Sequence, residues 1–295
     1  AHPVKISSPV QIPGTDWSVV SQSKRGGLSV KTTGELWAWG NNFYGNLGQN
    51  STTYYSSPVQ VGTDTTWSTE IDKMGGFQSY GAAAIKTDGT LWTWGYQTNG
   101  NLGLNESDTR QSSPTQVGTE TTWDTISKTG AFGAGIKTDG TLWMWGAGGS
   151  GQLGQNQQGD NHQLSSPTQV GTDTTWKLVC AAGGQTNATK TDGTMWVWGR
   201  NDDGNLGMNE VFPAGSYSSP TQLGTGTDWD RPTQLKSVAG GIKTDGTLWL
   251  SGNNYAGMLG QNTVVSHSSP VQIPGNWNDL SMSAEGHTLI GKQVL

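Results

Sequence analysis

Short runs of alternating polar and apolar positions recur along this chain at a nearly fixed interval. In Leu91-Trp92-Thr93-Trp94 both indoles lie on one face of an extended segment, and Leu91 and Thr93 lie on the other. Both faces are therefore covered, as in a strand of stacked sheets. The same Leu/Met-Trp-x-Trp-Gly box begins at Leu36, Leu142 and Met195, and weakens to Leu248-Trp249-Leu250-Ser251-Gly252. Each box follows a hairpin signal: Asp88-Gly89, Asp139-Gly140, Asp192-Gly193 and Asp245-Gly246, with Thr33-Gly34 in the first case. After each box comes Gly-x-x-x-x-Gly-x-Leu-Gly (Gly40, Gly45, Leu47 and Gly48 in the first copy), a turn that ends the pair. A variable loop then leads to Ser-Ser-Pro-x-Gln-Val/Leu/Ile, which predicts a strand with proline at its start, where a missing N–H does least harm. Helical periodicity is absent.

Two further ladders set the period. The Ser-Ser-Pro prolines are Pro9, Pro58, Pro114, Pro167, Pro220 and Pro270, about 52 residues apart on average. Shortly after each stands a tryptophan: Trp17, Trp67, Trp123, Trp176, Trp229 and Trp277. Together with Trp37, Trp39, Trp92, Trp94, Trp143, Trp145, Trp196, Trp198 and Trp249 of the boxes, these account for all 15 tryptophans. None is left over for a ligand site, so all are expected in the structural core. Four short strands in a unit of this length predict an all-β protein, a single β-propeller spanning 1–295, with six four-stranded blades and seven as the alternative. The units run approximately 10–58, 59–114, 115–167, 168–220 and 221–270, and the last, 271–295, closes with 1–9 so that both termini share a blade. Each sheet must bury both faces against neighbours, which favours a ring over an open array with raw sheet faces. A buried indole removes about 150–250 Å² from water, worth on the order of 4–6 kcal/mol gross before entropy is subtracted.

The unit Lys-Thr-Asp-Gly-Thr-Leu-Trp-x-Trp-Gly-x-x-x-x-Gly-x-Leu-Gly, with its Ser-Ser-Pro-x-Gln-Val, resembles the repeat of the regulator of chromosome condensation family over essentially the whole chain. His287-Thr288 resembles that family's His-Thr pair; the equivalent places elsewhere read Leu28-Ser29, Ala82-Ala83, Ala134-Gly135 and Asn187-Ala188. Cys180 resembles the family's small buried position before a glycine. The resemblance implies a β-propeller, commonly seven-bladed, used as a protein-binding platform. Some members are guanine-nucleotide exchange factors, some bind chromatin, and some bacterial ones cover an enzyme's active site. Six units are counted here, and no segment carries over as an exchange-factor contact.

Composition narrows the function. Charged residues make up 13 % of the 295, with a formal net charge of −6, which argues against direct DNA binding because that needs clustered Lys and Arg. No apolar run approaches the roughly 18–20 residues of a membrane span, so no membrane insertion is expected. The single cysteine, Cys180, rules out a disulfide framework, and its apolar strand predicts an inert thiol. Gly146-Ala147-Gly148-Gly149-Ser150-Gly151 matches a dinucleotide fingerprint, but no helix follows, so it reads as the repeat's own turn. Asp202-Asp203 with Asn201 and Asn205 offers too few oxygens for a calcium loop and reads as a solvated turn. His2, His162, His267 and His287 have no zinc spacing. No metal, no cofactor and no catalytic residue is therefore expected, and the chain reads as not an enzyme. Lys31, Lys86, Lys137, Lys190 and Lys243 recur beside the hairpins, which points to a shared structural role.

Function in a repeat protein belongs where the repeats differ. Those positions carry Phe43, Tyr44, Tyr54, Tyr55, Tyr96, Phe212, Tyr217 and Tyr255, with Arg110 and Arg200 at equivalent places in other units. Tyrosine among Asn, Ser and Gly suits recognition because it adds contact area at low entropic cost. These residues are the predicted binding set, and a protein partner docking on one rim is the expected function. The alternative is a structural or adhesive component of a cell or virus-particle surface that contacts glycans or particles, suggested by near-identical repeats and low charge. An extracellular or particle-surface location is favoured on that ground over a cytoplasmic one, and nucleotide exchange is the minor alternative.

Overall fold

The computed structural model describes residues 11–23, 26–78, 80–106, 109–159, 162–210, 215–234, 237–282 and 289–293. Among them the only helical element is one 3-10 turn, Ile71–Lys73; all else is antiparallel sheet and connection. The first sheet is Trp17–Ser23, Gly26–Lys31, Leu36–Gly40 and Tyr55–Gln60. The second is Met74–Gln78, Gly81–Ile85, Leu91–Tyr96 and Arg110–Gln116. The third is Trp123–Lys128, Phe132–Lys137, Leu142–Ala147 and Gln163–Gln169. The fourth is Trp176–Ala182, Gln185–Lys190, Met195–Gly199 and Tyr217–Gln222. The fifth is Trp229–Gln234, Val238–Lys243, Leu248–Gly252 and His267–Ile273. Strands pair strictly in chain order in all five. Trp277–Met282 pairs with Leu289–Gln293 in a sixth. The closing segment 1–9, the pair His287-Thr288 and Phe212 lie outside the described residues.

The first strands of neighbouring sheets meet one another and so line the axis of a β-propeller. A Cβ added to Gly75 in the second sheet would stand 2.7 Å from Ile126 Cγ1 in the third. Ser127 Oγ of the third accepts from Ala181 N of the fourth at 2.9 Å, and Gln234 Nε2 of the fifth donates to Ala182 O at 3.0 Å.

Each indole has a defined place in this packing. Trp94 Nε1 donates to Asn46 O of the preceding sheet's turn at 2.9 Å, Trp145 to Asn101 O at 3.2 Å, and Trp198 to Gln152 O at 2.8 Å. All three rings are fully buried. In the fifth sheet Ser251 stands in place of the second Trp, and its hydroxyl makes the corresponding bond to Asn205 O at 3.3 Å. The acceptor turn comes close to its neighbour because glycine forms it. Gly100 has φ +76°, and a Cβ there would lie 2.5 Å from Leu164 O in the next sheet.

The Ser-Ser-Pro segment departs from expectation. Pro58 stands in mid-strand rather than at the start of Tyr55–Gln60. The register moves from Ala38↔Val59 to Gly40↔Tyr55, so four residues of the fourth strand span two of the third. The proline sits in that bulge on the sheet's outermost strand, where no ladder bond is asked of it.

The second sheet has a feature that the repeat pattern conceals. Six residues separate Trp67 from Met74, where two separate Trp123 from Ile126, the position that pairs in the same way. The extra residues form the 3-10 turn Ile71–Lys73. They bring Asp72 to Arg231 of the fifth sheet, three units away, with Nη2 to Oδ1 at 2.8 Å. Lys73 from the same turn reaches Asp124 of the third sheet at 3.7 Å. A salt bridge thus ties non-neighbouring sheets together across the propeller axis.

Candidate functional site: an aromatic patch on the variable face

The up-and-down order of every sheet divides its connections between two faces. One face carries the Asp-Gly hairpins and the segments that lead into each unit's first tryptophan. The other carries the turns between first and second strands and the long loops between third and fourth.

The first of these faces is nearly the same in every unit. Lys86 pairs with Asp64, and its ammonium lies 5.0 Å from the Trp67 ring centre and 4.0 Å from that of Trp92. Asp88 accepts from Thr90 Oγ1 at 2.7 Å, and Trp92 Nε1 donates to that hydroxyl at 2.8 Å. The arrangement recurs with Lys137 on Glu120 at 2.7 Å, with Lys190 on Asp173, and with Lys243 on Asp228 at 3.0 Å. In the first sheet Lys31 meets Asp16 at 3.1 Å, and Glu35 replaces the threonine under Trp37. The Lys86 hydrogen bond holds Asp64 below the ordinary carboxylate value of 3.8, and the Thr90 hydroxyl does the same for Asp88. The recurring lysines are therefore structural: each ammonium is clamped between a carboxylate and two indoles.

The opposite face differs from unit to unit, and on the first two sheets it gathers aromatic rings. Phe43 and Tyr44 project from the loop after Leu36–Gly40, Tyr80 from the turn after Met74–Gln78, and Tyr96 from the end of Leu91–Tyr96. Ring centres lie 4.9 Å apart for Phe43 and Tyr44, 5.2 Å for Tyr44 and Tyr80, and 5.3 Å for Tyr44 and Tyr96. Phe43 is 55 % exposed and Tyr80 39 %; Tyr44 and Tyr96 are half-buried. Arg110 pairs with Tyr96 across the strands and lays its guanidinium 6.0 Å from the Phe43 ring centre.

Buried amides fix the loop that presents the patch. Asn42 Nδ2 donates to Ser51 O at 2.9 Å, and Asn42 Oδ1 accepts from Leu47 N at 2.9 Å. Tyr96 N donates to Tyr80 O at 2.6 Å, which sets those two residues side by side. The rings thus sit on a rigid support, and little ordering entropy remains to be lost on binding.

Of the predicted binding set, Phe43, Tyr44, Tyr96 and Arg110 come together here. Tyr80 joins them and was missed, because it lies in a short strand-to-strand turn rather than a long loop. The signal was available: the matching turns read Thr129-Gly130-Ala131 and Gly183-Gly184, with no aromatic residue. The remaining residues stand apart. Tyr55 packs against the first sheet's core, and Tyr54 is exposed beside it. Tyr217 donates to Glu210 Oε2 at 2.6 Å within its own loop, and this bond raises the phenol's pKa. Arg200 is paired with Asp202. Tyr255 is 63 % exposed on the fifth sheet, distant in sequence and in sheet order from the cluster.

Cys180 is half-buried, and desolvation in its strand pushes the thiol up to about 12, away from the thiolate form at neutral pH. Among the described residues no group of three or more His, Cys, Asp or Glu is placed to hold a metal ion. Nor is any helix among them long and apolar enough to cross a membrane.

A propeller built from these sheets, with one face repeated and the other individual, defines a class of repeat scaffold, and known proteins resemble it. The family model of the regulator of chromosome condensation (RCC1) repeat matches residues 33–70, 88–127 and 139–188. The chain thus carries RCC1 repeats over these residues, on a fold that is a β-propeller. It is 29 % identical over 264 residues to the mitochondrial RCC1 domain-containing protein RUG3 of Arabidopsis thaliana, covering 84 % of this chain and 56 % of that protein. Over 182 residues it is 28 % identical to the mouse E3 ubiquitin-protein ligase HERC2, but this takes in 4 % of that much longer protein. The chain thus spans about half the length of the first relative and a small part of the second. Among solved structures, human WBSCR16 superposes with a TM-score of 0.77 at 19 % identity, covering 94 % of this chain and 71 % of that one. Prp20p of Saccharomyces cerevisiae, described with its binding to Gsp1p and histones, gives 0.71 at 16 % identity over 88 % of this chain and 66 % of its own. At such identities the likeness concerns the fold.

Proposed function

We propose that this protein is a non-catalytic propeller scaffold that binds a protein partner through the patch formed by Phe43, Tyr44, Tyr80, Tyr96 and Arg110. The observation that carries the reading is the clustering of four aromatic rings and a guanidinium on the face where units differ. Tyrosine and arginine dominate the binding energy of protein interfaces when they sit together on a preorganised support. The family's use as a protein-binding platform, and the protein partners named for Prp20p, support the same reading.

The test is affinity purification from the source cells with the intact chain, followed by titration of the recovered partner against Tyr44→Ala and Tyr80→Ala. Each variant is expected to weaken binding at least about tenfold while its thermal midpoint stays within a few degrees of the parent. Undiminished partner binding by both variants would overturn the proposal. So would nucleotide release from a small GTPase that the partner does not require, or glycan binding lost with the same two substitutions in the absence of any protein partner.

A further inference from the structure

Among the described residues, cations are almost all neutralised where they stand. The five recurring lysines are clamped on the repeated face, and Lys73, Lys177, Arg200 and Arg231 each lie within 4.0 Å of a carboxylate. Lys128 is buried, 3 % exposed, and donates to Thr129 O at 2.9 Å. Arg110 is different. It is exposed at the rim of the aromatic patch, and no carboxylate among the described residues lies within ion-pair distance of it. Asp108, two residues before Arg110, lies outside the described residues; Glu106, four residues before it, has its Oε2 engaged by Gln111 Nε2 at 2.9 Å and Thr109 Oγ1 at 3.2 Å. The Arg110 contact that the patch supplies is the Phe43 ring.

A guanidinium with an aromatic ring beside it and no acid partner among the described residues presents its planar fork of N–H donors. That fork matches a carboxylate in bidentate geometry. The four rings around it are apolar and exclude water once covered, which strengthens any charge-assisted bond made there. Long-range attraction does not account for such a ligand, because the chain as a whole carries a net charge of −6. Selection for an acid would have to be made locally, at Arg110.

Building on the reading that the patch binds protein, we propose that its occupant is a peptide segment presenting a carboxylate flanked by apolar side chains. Arg110 takes the carboxylate, and Phe43, Tyr44, Tyr80 and Tyr96 cover the apolar flanks. The carboxylate is the specificity element, and the rings supply contact area that does not discriminate an acid from its amide.

The experiment uses the full chain and a set of fluorescent twelve-residue peptides. Each peptide has an apolar pair on either side of a central Asp, Glu, Asn, Gln or Lys. Fluorescence polarisation is expected to show the Asp and Glu peptides binding at least about tenfold tighter than their Asn and Gln counterparts, the range of one charge-assisted hydrogen-bonded pair. Arg110→Gln should bring that ratio close to one by weakening the Asp and Glu peptides far more than the Asn and Gln peptides, with the melting temperature within a few degrees of the parent. Arg110→Lys should restore only part of it, since a point charge lacks the fork. An unchanged acid-to-amide ratio in Arg110→Gln, a preference for the Lys peptides, or no binding of any peptide at 1 mM on the order of the weakest interface affinities would overturn this inference. Those outcomes leave the patch itself untouched. The patch fails separately, if Tyr44→Ala and Tyr80→Ala bind the natural partner as the parent does.

Discussion

The two faces of this propeller solve opposite problems with the same strands. On the Asp-Gly face of the five four-stranded sheets each recurring lysine is paired, unit after unit: Lys86 with Asp64, Lys137 with Glu120, Lys190 with Asp173. On the opposite face, among the described residues, a lysine is buried without a carboxylate, an arginine is exposed without one, and four aromatic rings cluster where neighbouring units place small or polar residues. A side chain that recurs in every sheet does the work that each sheet needs in order to stack. One that occurs once answers to something outside the repeat.

Four measurements can break or sharpen that contrast, beginning with the largest effect. Trp145 is fully buried and donates to the neighbouring sheet. Trp145→Ala should therefore lower unfolding stability by about 3–5 kcal/mol, seen as a lower denaturant midpoint. A change no larger than that of an exposed tyrosine would refute the structural role of the repeated indoles.

Lys128 lies beneath the variable face, where desolvation lowers its pKa from 10.5 to about 7. The unfolded chain holds a proton there that the fold releases, so the fold gains stability as pH rises from about 7 to 10.5. Lys128→Met keeps the length and removes the charge. It should stabilise the protein by a few kcal/mol at pH 7, on the order of 2–4, and flatten that rise. Loss of stability in this variant would show that the bond from the ammonium to Thr129 O outweighs its desolvation.

Arg231 and Asp72 are both about a third exposed, so their bond across the axis should contribute only about 1 kcal/mol. A double-mutant cycle of Arg231→Gln and Asp72→Asn measures it, and coupling indistinguishable from zero would deny it any stabilising role.

The smallest effect concerns acid. Asp64 and Asp173 are held below 3.8 chiefly by their lysine hydrogen bonds. The stability they contribute is present above that value and is lost as pH falls through their lower folded values. Asp64→Asn should make the thermal midpoint less sensitive to pH below about 4, whereas Tyr44→Ala should leave that sensitivity as it is. If the two variants behave alike, the acid response does not originate on the repeated face.

Much of this was legible before any coordinates. The Trp-x-Trp boxes, the Asp-Gly hairpins and the spacing of Ser-Ser-Pro specify sheets, order and period, because each is a local rule of strand and turn. The proline's placement was misjudged, since a bulge depends on what the neighbouring strand does at Gly40. The candidate site was half legible: Phe43, Tyr44, Tyr96 and Arg110 stood out as departures from the repeat, whereas Tyr80 hid in a turn too short to attract notice. Tyr54, Tyr217, Arg200 and Tyr255 departed just as clearly, and nothing in their order along the chain told them apart from the cluster.

The sequence by itself determined that this chain is a stack of like sheets held by indoles, because burial and turn chemistry repeat with the residues that cause them. Only the tertiary structure decided which of its irregular side chains meet. Tyr44 touches Tyr80 and Tyr96 of the next unit, Arg110 lies beside Phe43, and Asp72 reaches Arg231 across the axis. Those meetings follow from how sheets turn about a common centre, and that geometry brings residues together without regard to their separation along the chain.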